Sequence, residues 1–262
     1  MSVPVFQVDA FASRPFGGNP AGVCLLEKPA TAEWMQHVAA EMNVAETAFV
    51  VPGDKAFGLR WFTPTVEVGL CGHATLASAH ALWLEGEPGA LLLFHTRSGL
   101  LTAARDGDWI NLDFPSTLEK RADPPAGLLE SLGVTNPLYV GRNLFDYLVE
   151  VDSEETLRAL TPDHARLRQI PVRGVIVTTR GTNGEYDFVS RFFAPGSGVD
   201  EDPVTGSAHC CLGPYWAPRL GKSDLLAYQA SARGGFMRVR VDGDRVMLGG
   251  RAVTVFRGEL LP

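Results

Sequence analysis

The chain contains no run of about 18 apolar residues, the length a membrane-spanning helix needs, so no such helix is expected. Positive charge is in deficit. Against 30 Asp and Glu there are 23 Lys and Arg, a net charge of −7, which offers no basic surface to nucleic acid or an anionic membrane. Residues 1–10, "MSVPVFQVDA", lack the basic start and apolar run of a signal peptide, and a cytoplasmic location is expected. Cysteine is scarce, with Cys24, Cys71, Cys210 and Cys211 showing no C-x-x-C spacing and no disulfide-scaffold density. Cys210 and Cys211 would sit about 100° apart on a helix, so reduced and mostly buried thiols are expected.

Motifs for cofactor chemistry are missing too. "PFGGNPAGV" is Gly-rich but has no Gly-Lys-Ser/Thr and no G-x-G-x-x-G ahead of a helix. The six histidines form no H-E-x-x-H, and His73 with His80 would need a third ligand that the sequence does not evidently supply. Neither Ser78 nor Ser207 lies in a G-x-S-x-G elbow. The expected function therefore uses no metal, flavin, nicotinamide or pyridoxal phosphate.

What is present is a pattern written twice. Moving the chain by 131 residues lays "RWFTP" (60–64) on "RFFAP" (191–195), and Cys71 then falls on Asp202. Each match ends a strand-like segment and precedes a small-residue helix, "GHATLASAHALWL" and "TGSAHCCLGPYW". Each half continues into a hairpin pattern, around Asp106-Gly107 and Asp242-Gly243. The helix after Gly72 is apolar nearly all round, so it should be wrapped by sheet. Peripheral helices are expected in "TAEWMQHVAAEMN" and in "DSEETLRALTPDHARL", where Asp152 and Glu155 have capping-box spacing. The expected architecture is α+β, with two similar domains, each a curved, mostly antiparallel sheet around a central helix, and a cleft between them. The boundaries expected are 1–117 and 118–251, with a last strand near 252–262 returning to the first domain.

A helix start presents free N–H groups and partial positive charge, a natural place for a carboxylate. At the two expected starts stand "LCGHAT" and "EDPVTGS", where Gly72 and Gly206 allow a ligand close to the backbone. His73 reads either as a ligand-facing group or as a partly buried residue with a satisfied hydrogen bond. Asp202 reads as a binding group or as a plain cap, and Thr205 and Ser207 suit a helix start in any case. Glu46, beside the apolar strand "AFVV", is the most informative residue. Desolvation there raises a carboxyl pKa and prepares the group for proton exchange near neutral pH, unless the side chain simply turns to water.

The segments "VDAFASRPFGGNPAGV" (8–23), "ETAFV" (46–50), "RWFTPTVEVGLCGHATLASAHAL" (60–82), "GVDEDPVTGSAHC" (198–210) and the closing "QASARGGFMRVRV…VMLGGRAVTV" together resemble the PhzF-type, phenazine biosynthesis-like isomerase family, within the diaminopimelate epimerase-like fold. The resemblance implies no cofactor, a small carboxylate-bearing substrate and a homodimer. It implies Glu46 as the proton-moving acid and base, with Asn19, Gly72, His73, Asp202, Gly206 and Ser207 binding substrate. Related epimerases use two facing cysteines. Cys71 matches one of them and Asp202 stands for the other, which disfavours a two-thiol racemase but leaves an epimerase using Cys71, or a non-catalytic binding protein, as alternatives.

Overall fold

The opening segment, Val3–Ala10, is a strand whose second half is buried on both faces in the computed structural model, which describes residues 2–261. Two compact units make up the chain: residues 2–113 together with 249–261, and residues 114–248.

In the first unit Val3–Ala10 pairs antiparallel with the last strand, Ala252–Leu260, and with Asn19–Leu25. Asn19–Leu25 runs parallel to Glu46–Val51, which is antiparallel to Phe57–Phe62. Phe57–Phe62 runs parallel to Leu91–Thr96, and antiparallel pairings lead on to Gly99–Asp106 and Trp109–Pro115. The helix Gly72–Leu84 packs on the first three of these strands. It is buried on every side from His73 to Ala79, because its alanines let the sheet approach all round. Its two interior hydroxyls do not go unsatisfied: Thr75 donates to the Cys71 carbonyl at 2.6 Å and Ser78 to that of Ala74 at 2.7 Å. The helix Ala32–Met42 lies outside, starting at Thr31, whose hydroxyl accepts from the Trp34 amide at 3.2 Å. Met35, Val38 and Ala39 form its apolar stripe and pack with Val5, Cys24, Phe49 and Phe62.

In the second unit Tyr139–Arg142 and Asp146–Glu150 are antiparallel, and Asp146–Glu150 runs parallel to Gly174–Arg180. Phe188–Phe193, Asp224–Gln229 and Gly235–Asp242 follow in antiparallel, parallel and antiparallel pairings. The central helix, Gly206–Leu220, continues through Pro214 and Pro218. Trp216 anchors it, stacked on Phe188 at 5.9 Å and donating its indole N–H to Thr178 Oγ1 at 3.0 Å. The segment 152–167 holds two short helices, Glu154–Ala159 and His164–Leu167. Ser153, not Asp152, caps the first, accepting from the Thr156 amide at 3.1 Å.

The internal repeat reaches individual interactions. The strands Phe57–Phe62 and Phe188–Phe193 begin 131 residues apart. Arg60 donates Nε to Glu67 Oε1 and Nη2 to Oε2, at 2.8 and 2.9 Å, and Arg191 does the same to Glu201 at 2.7 and 2.9 Å. Each guanidinium also lies over a phenylalanine two residues on, Phe62 or Phe193. The central helices, however, begin 134 residues apart. The second unit carries extra chain between strand and helix, including the turn Pro195–Ser197, so the partner of Cys71 at the helix cap is Thr205. The alignment of Cys71 with Asp202 is corrected accordingly. The two hairpins also turn one residue later than expected. Asp106 and Asp242 end their strands, and Gly107 and Gly243 take the positive φ, +57° and +59°, of the first loop position.

Candidate functional site

In the first unit four of the singled-out residues come together at the N-terminus of the Gly72 helix. Glu46 opens its strand level with Ala21 of the parallel neighbour, and Asn19 opens that neighbour, opposite Ala10. Gly18 makes this placement possible. Its φ is +60°, and a Cβ there would lie 2.1 Å from the Ala10 carbonyl oxygen, so only glycine fits. Phe11 and Phe16 also have positive φ, and Asp9 holds the loop by accepting from the Phe16 amide at 2.7 Å. Cys71 occupies the helix cap without capping through its side chain, which faces His73 instead.

His73 is the hub of this group. Its Nε2 lies 3.1 Å from Glu46 Oε2, its Nδ1 lies 3.3 Å from the Asn19 amide, and Cys71 Sγ is 3.5 Å from Nδ1 and 3.9 Å from Nε2. The Asn19 amide can turn either its NH2 or its oxygen to Nδ1, so it suits a neutral or a protonated ring. Asn19, Cys71 and His73 are buried, and the Glu46 side chain keeps about a fifth of its surface open, 21%.

Burial acts on Glu46 in the expected direction, pushing its pKa up. The charge and hydrogen bond of His73, helped by the Cys71 thiol, outweigh it, and the carboxyl ends below its ordinary value. The expectation of a raised Glu46 pKa is therefore corrected: a buried carboxylate with a cationic partner stays ionised. Burial likewise disfavours a charged His73, yet Cys71 and Glu46 carry it well above the usual imidazole value. Burial and the Glu46 charge raise the Cys71 pKa, keeping the thiol neutral near pH 7. At that pH the charge facing His73 is consequently that of Glu46. With the thiol neutral, the charge and hydrogen bond of Glu46 favour the protonated form of His73, just as His73 favours the ionised form of Glu46.

Glu46, Cys71 and His73 also offer ligand atoms all within 4.8 Å of one another, close enough to hold an ion. Cys71 and His73 are two residues apart in the sequence, and Glu46 joins them only through the packing of a strand against the helix start.

The second unit assembles another group at the start of the Gly206 helix. Thr205 is the cap residue and makes no side-chain capping bond. Its hydroxyl donates to Asp202 Oδ2, and its amide donates to Gln229 Oε1 at 2.9 Å. Asp202 is thus not the cap, and it is held by the residue that is. Gln229, 1% exposed, braces the turn further by donating to the Asp202 carbonyl at 2.7 Å. Ser207 accepts from Arg173 Nη1 at 3.1 Å, and Arg173 is in turn gripped by Asp146. Gly206 is buried, and a Cβ on it would touch Leu248 Cδ1 at 3.6 Å. Gln229, Arg173 and Asp146 were not singled out from the sequence. Gln229 sits in the closing "QASARGG", whereas nothing in "VRGVIVTT" marks Arg173 as more than a strand-edge charge.

Among the described residues no helix is long and apolar enough to cross a membrane.

The family model described as "Phenazine biosynthesis-like protein" matches residues 8–258. An uncharacterized isomerase of Halalkalibacterium halodurans is 56% identical over 264 residues, spanning all of this chain and 99% of that one. A crystal structure of a PhzF-family phenazine biosynthesis protein from Enterococcus faecalis superposes with a TM-score of 0.95 at 41% identity, over the full length of both chains. A probable proline racemase from Agrobacterium radiobacter, 12% identical with a TM-score of 0.63 over 99% of this chain and 93% of that one, shares the α+β fold alone. The chain belongs to the phenazine biosynthesis-like protein family, and its function is of the isomerase type.

Proposed function

We propose that this isomerase moves a proton between carbon atoms of a small, carboxylate-bearing substrate without metal or organic cofactor, using Glu46 as general base and then general acid. The contact of Glu46 with His73 at 3.1 Å carries this reading. A carbon acid needs a base already ionised at working pH, and the imidazolium keeps Glu46 in that form. When the proton passes to Glu46, the positive charge of His73 is no longer balanced by the carboxylate and stabilises the anion growing on the substrate. The protonated carboxyl then returns the proton to a different carbon. Asn19, Gly72, His73, Asp202, Gly206 and Ser207 hold the substrate in this scheme, and the protein works as a cytoplasmic homodimer, in keeping with the family resemblance.

An epimerase acting through Cys71 is less well supported, because a neutral thiol with a raised pKa is a poor base. The test begins with a compound that co-purifies with the protein, identified by mass spectrometry. In heavy water the native protein should incorporate deuterium into it, and Glu46→Gln should turn over about 100-fold more slowly while folding normally. Native-rate exchange by Glu46→Gln would assign the proton to another residue.

A further inference from the structure

The Ser207 hydroxyl has a partner that dictates its direction. A guanidinium carries donors only, so in the 3.1 Å contact with Arg173 Nη1 the serine oxygen must accept. Its single proton is therefore left to donate elsewhere.

Arg173 is held firmly for this task. Nε donates to Asp146 Oδ1 at 2.9 Å and Nη2 donates to Oδ2, a two-pronged grip on a carboxylate whose side chain is 0% exposed. Asp146 is fixed through its backbone, since Asn143 Oδ1 accepts from its amide and from that of Phe145, each at 2.7 Å. The guanidinium also lies over the rings of Phe145 and Phe192, at 5.1 and 5.7 Å. Two of its nitrogens serve the acid, the third serves Ser207, and 37% of the side chain stays open. If the arginine served Asp146 alone, Nη1 would have no need to meet the serine.

We propose that Arg173 is a positioning residue, locked by Asp146, that turns the Ser207 hydroxyl proton toward an anionic group of the substrate, so that Ser207 selects a carboxylate over a neutral group of the same shape. The inference rests on the reading of Ser207 as a substrate-binding residue, and it goes further by assigning the donor's polarity and the residue that sets it.

The test uses the full chain with benzoate and benzamide as probes, one charged and one neutral, titrated separately and followed by protein NMR. The native protein should bind benzoate more tightly. Arg173→Gln and Ser207→Ala should each reduce that preference about ten-fold, the scale of one charge-assisted hydrogen bond, and the double variant should fall no further. Arg173→Lys keeps the charge but cannot serve Asp146 and Ser207 together, so it should lose the preference even if Arg173→Gln fails to fold. A purely structural role would weaken both probes equally. Equal weakening, an unchanged preference in Arg173→Lys, or no benzoate preference in the native protein would each overturn the proposal. No proton transfer is measured, so this outcome is separable from the fate of Glu46 as the acid and base.

Discussion

Nε2 of His73 stands 3.1 Å from Oε2 of Glu46, and this contact reverses what burial alone does to the carboxylate. Without the imidazolium the same pocket would favour a protonated acid. His73→Gln should therefore raise the Glu46 pKa, with burial left as the dominant influence. Side-chain carboxyl NMR across a pH series reads this directly, and the acid limb of the pH–rate profile should move to higher pH with it. An unmoved Glu46 titration would show that His73 does not set its charge.

The pair also predicts a pH window for stability. His73 has a raised pKa in the folded chain, so its contribution is complete below the ordinary 6.5 and is lost as pH rises through the raised value. Glu46 has a lowered one, so its contribution is complete above the ordinary 4.5 and is lost as pH falls through the lowered value. Denaturant unfolding should show the advantage of the native protein over Glu46→Gln largest between these ordinary values and shrinking on either side.

Cys71 should be a sluggish nucleophile. Its thiol is buried and its pKa raised by burial and by the Glu46 charge, so iodoacetamide near pH 7.5 should modify it far more slowly than in the unfolded chain. Mass-mapped labelling checks this. Rapid, selective modification of Cys71 would revive the epimerase reading.

His209 should make the protein acid-labile. It is fully buried on the Gly206 helix, with Nδ1 2.8 Å from the Thr205 carbonyl, and burial lowers its pKa to about 4. Between the ordinary 6.5 and that value the unfolded chain binds the extra proton, so stability falls as pH falls through this range, by about 3 kcal/mol in total. His209→Asn removes the titration, and its stability should change less between pH 7 and pH 4 by about that amount. Equal acid sensitivity in both proteins would exclude His209 as the cause.

Gly18→Ala should damage both fold and site. The new methyl meets the Ala10 carbonyl at a φ of +60°, which should cost at least about 1 kcal/mol and displace Asn19 from His73. Thermal unfolding reads the first effect and the His73 imidazole NMR signals read the second. A variant as stable as the native protein would mean the loop relaxes freely.

The α+β class, the doubled strand–helix pattern, the buried character of the Gly72 helix and the gathering of polar residues at the helix starts were legible in the sequence. These follow from local information: hydrophobic period, turn glycines and the position of small residues. The Arg60 and Arg191 match was legible as letters, although its meaning, a repeated grip on Glu67 and Glu201, needed side-chain geometry. Registration of the halves was not legible. A single shift of 131 holds for the strands and fails by three residues at the helices, because inserted loop residues leave no periodic trace.

Only the tertiary structure decided the electrostatics. The sequence placed Glu46 among apolar neighbours, which foretold desolvation, but His73 lies 27 positions further on and reaches it through the packing of a strand against a helix start. Asp146 meets Arg173 beside a parallel strand pairing that no local pattern encodes, and Arg173 in turn reaches Ser207 at a helix start. Local period and composition determined where chain segments go, since those preferences act over a few residues. Contact between residues far apart in the chain determined which groups carry charge and which way their hydrogen bonds point, since both depend on neighbours within a few ångströms.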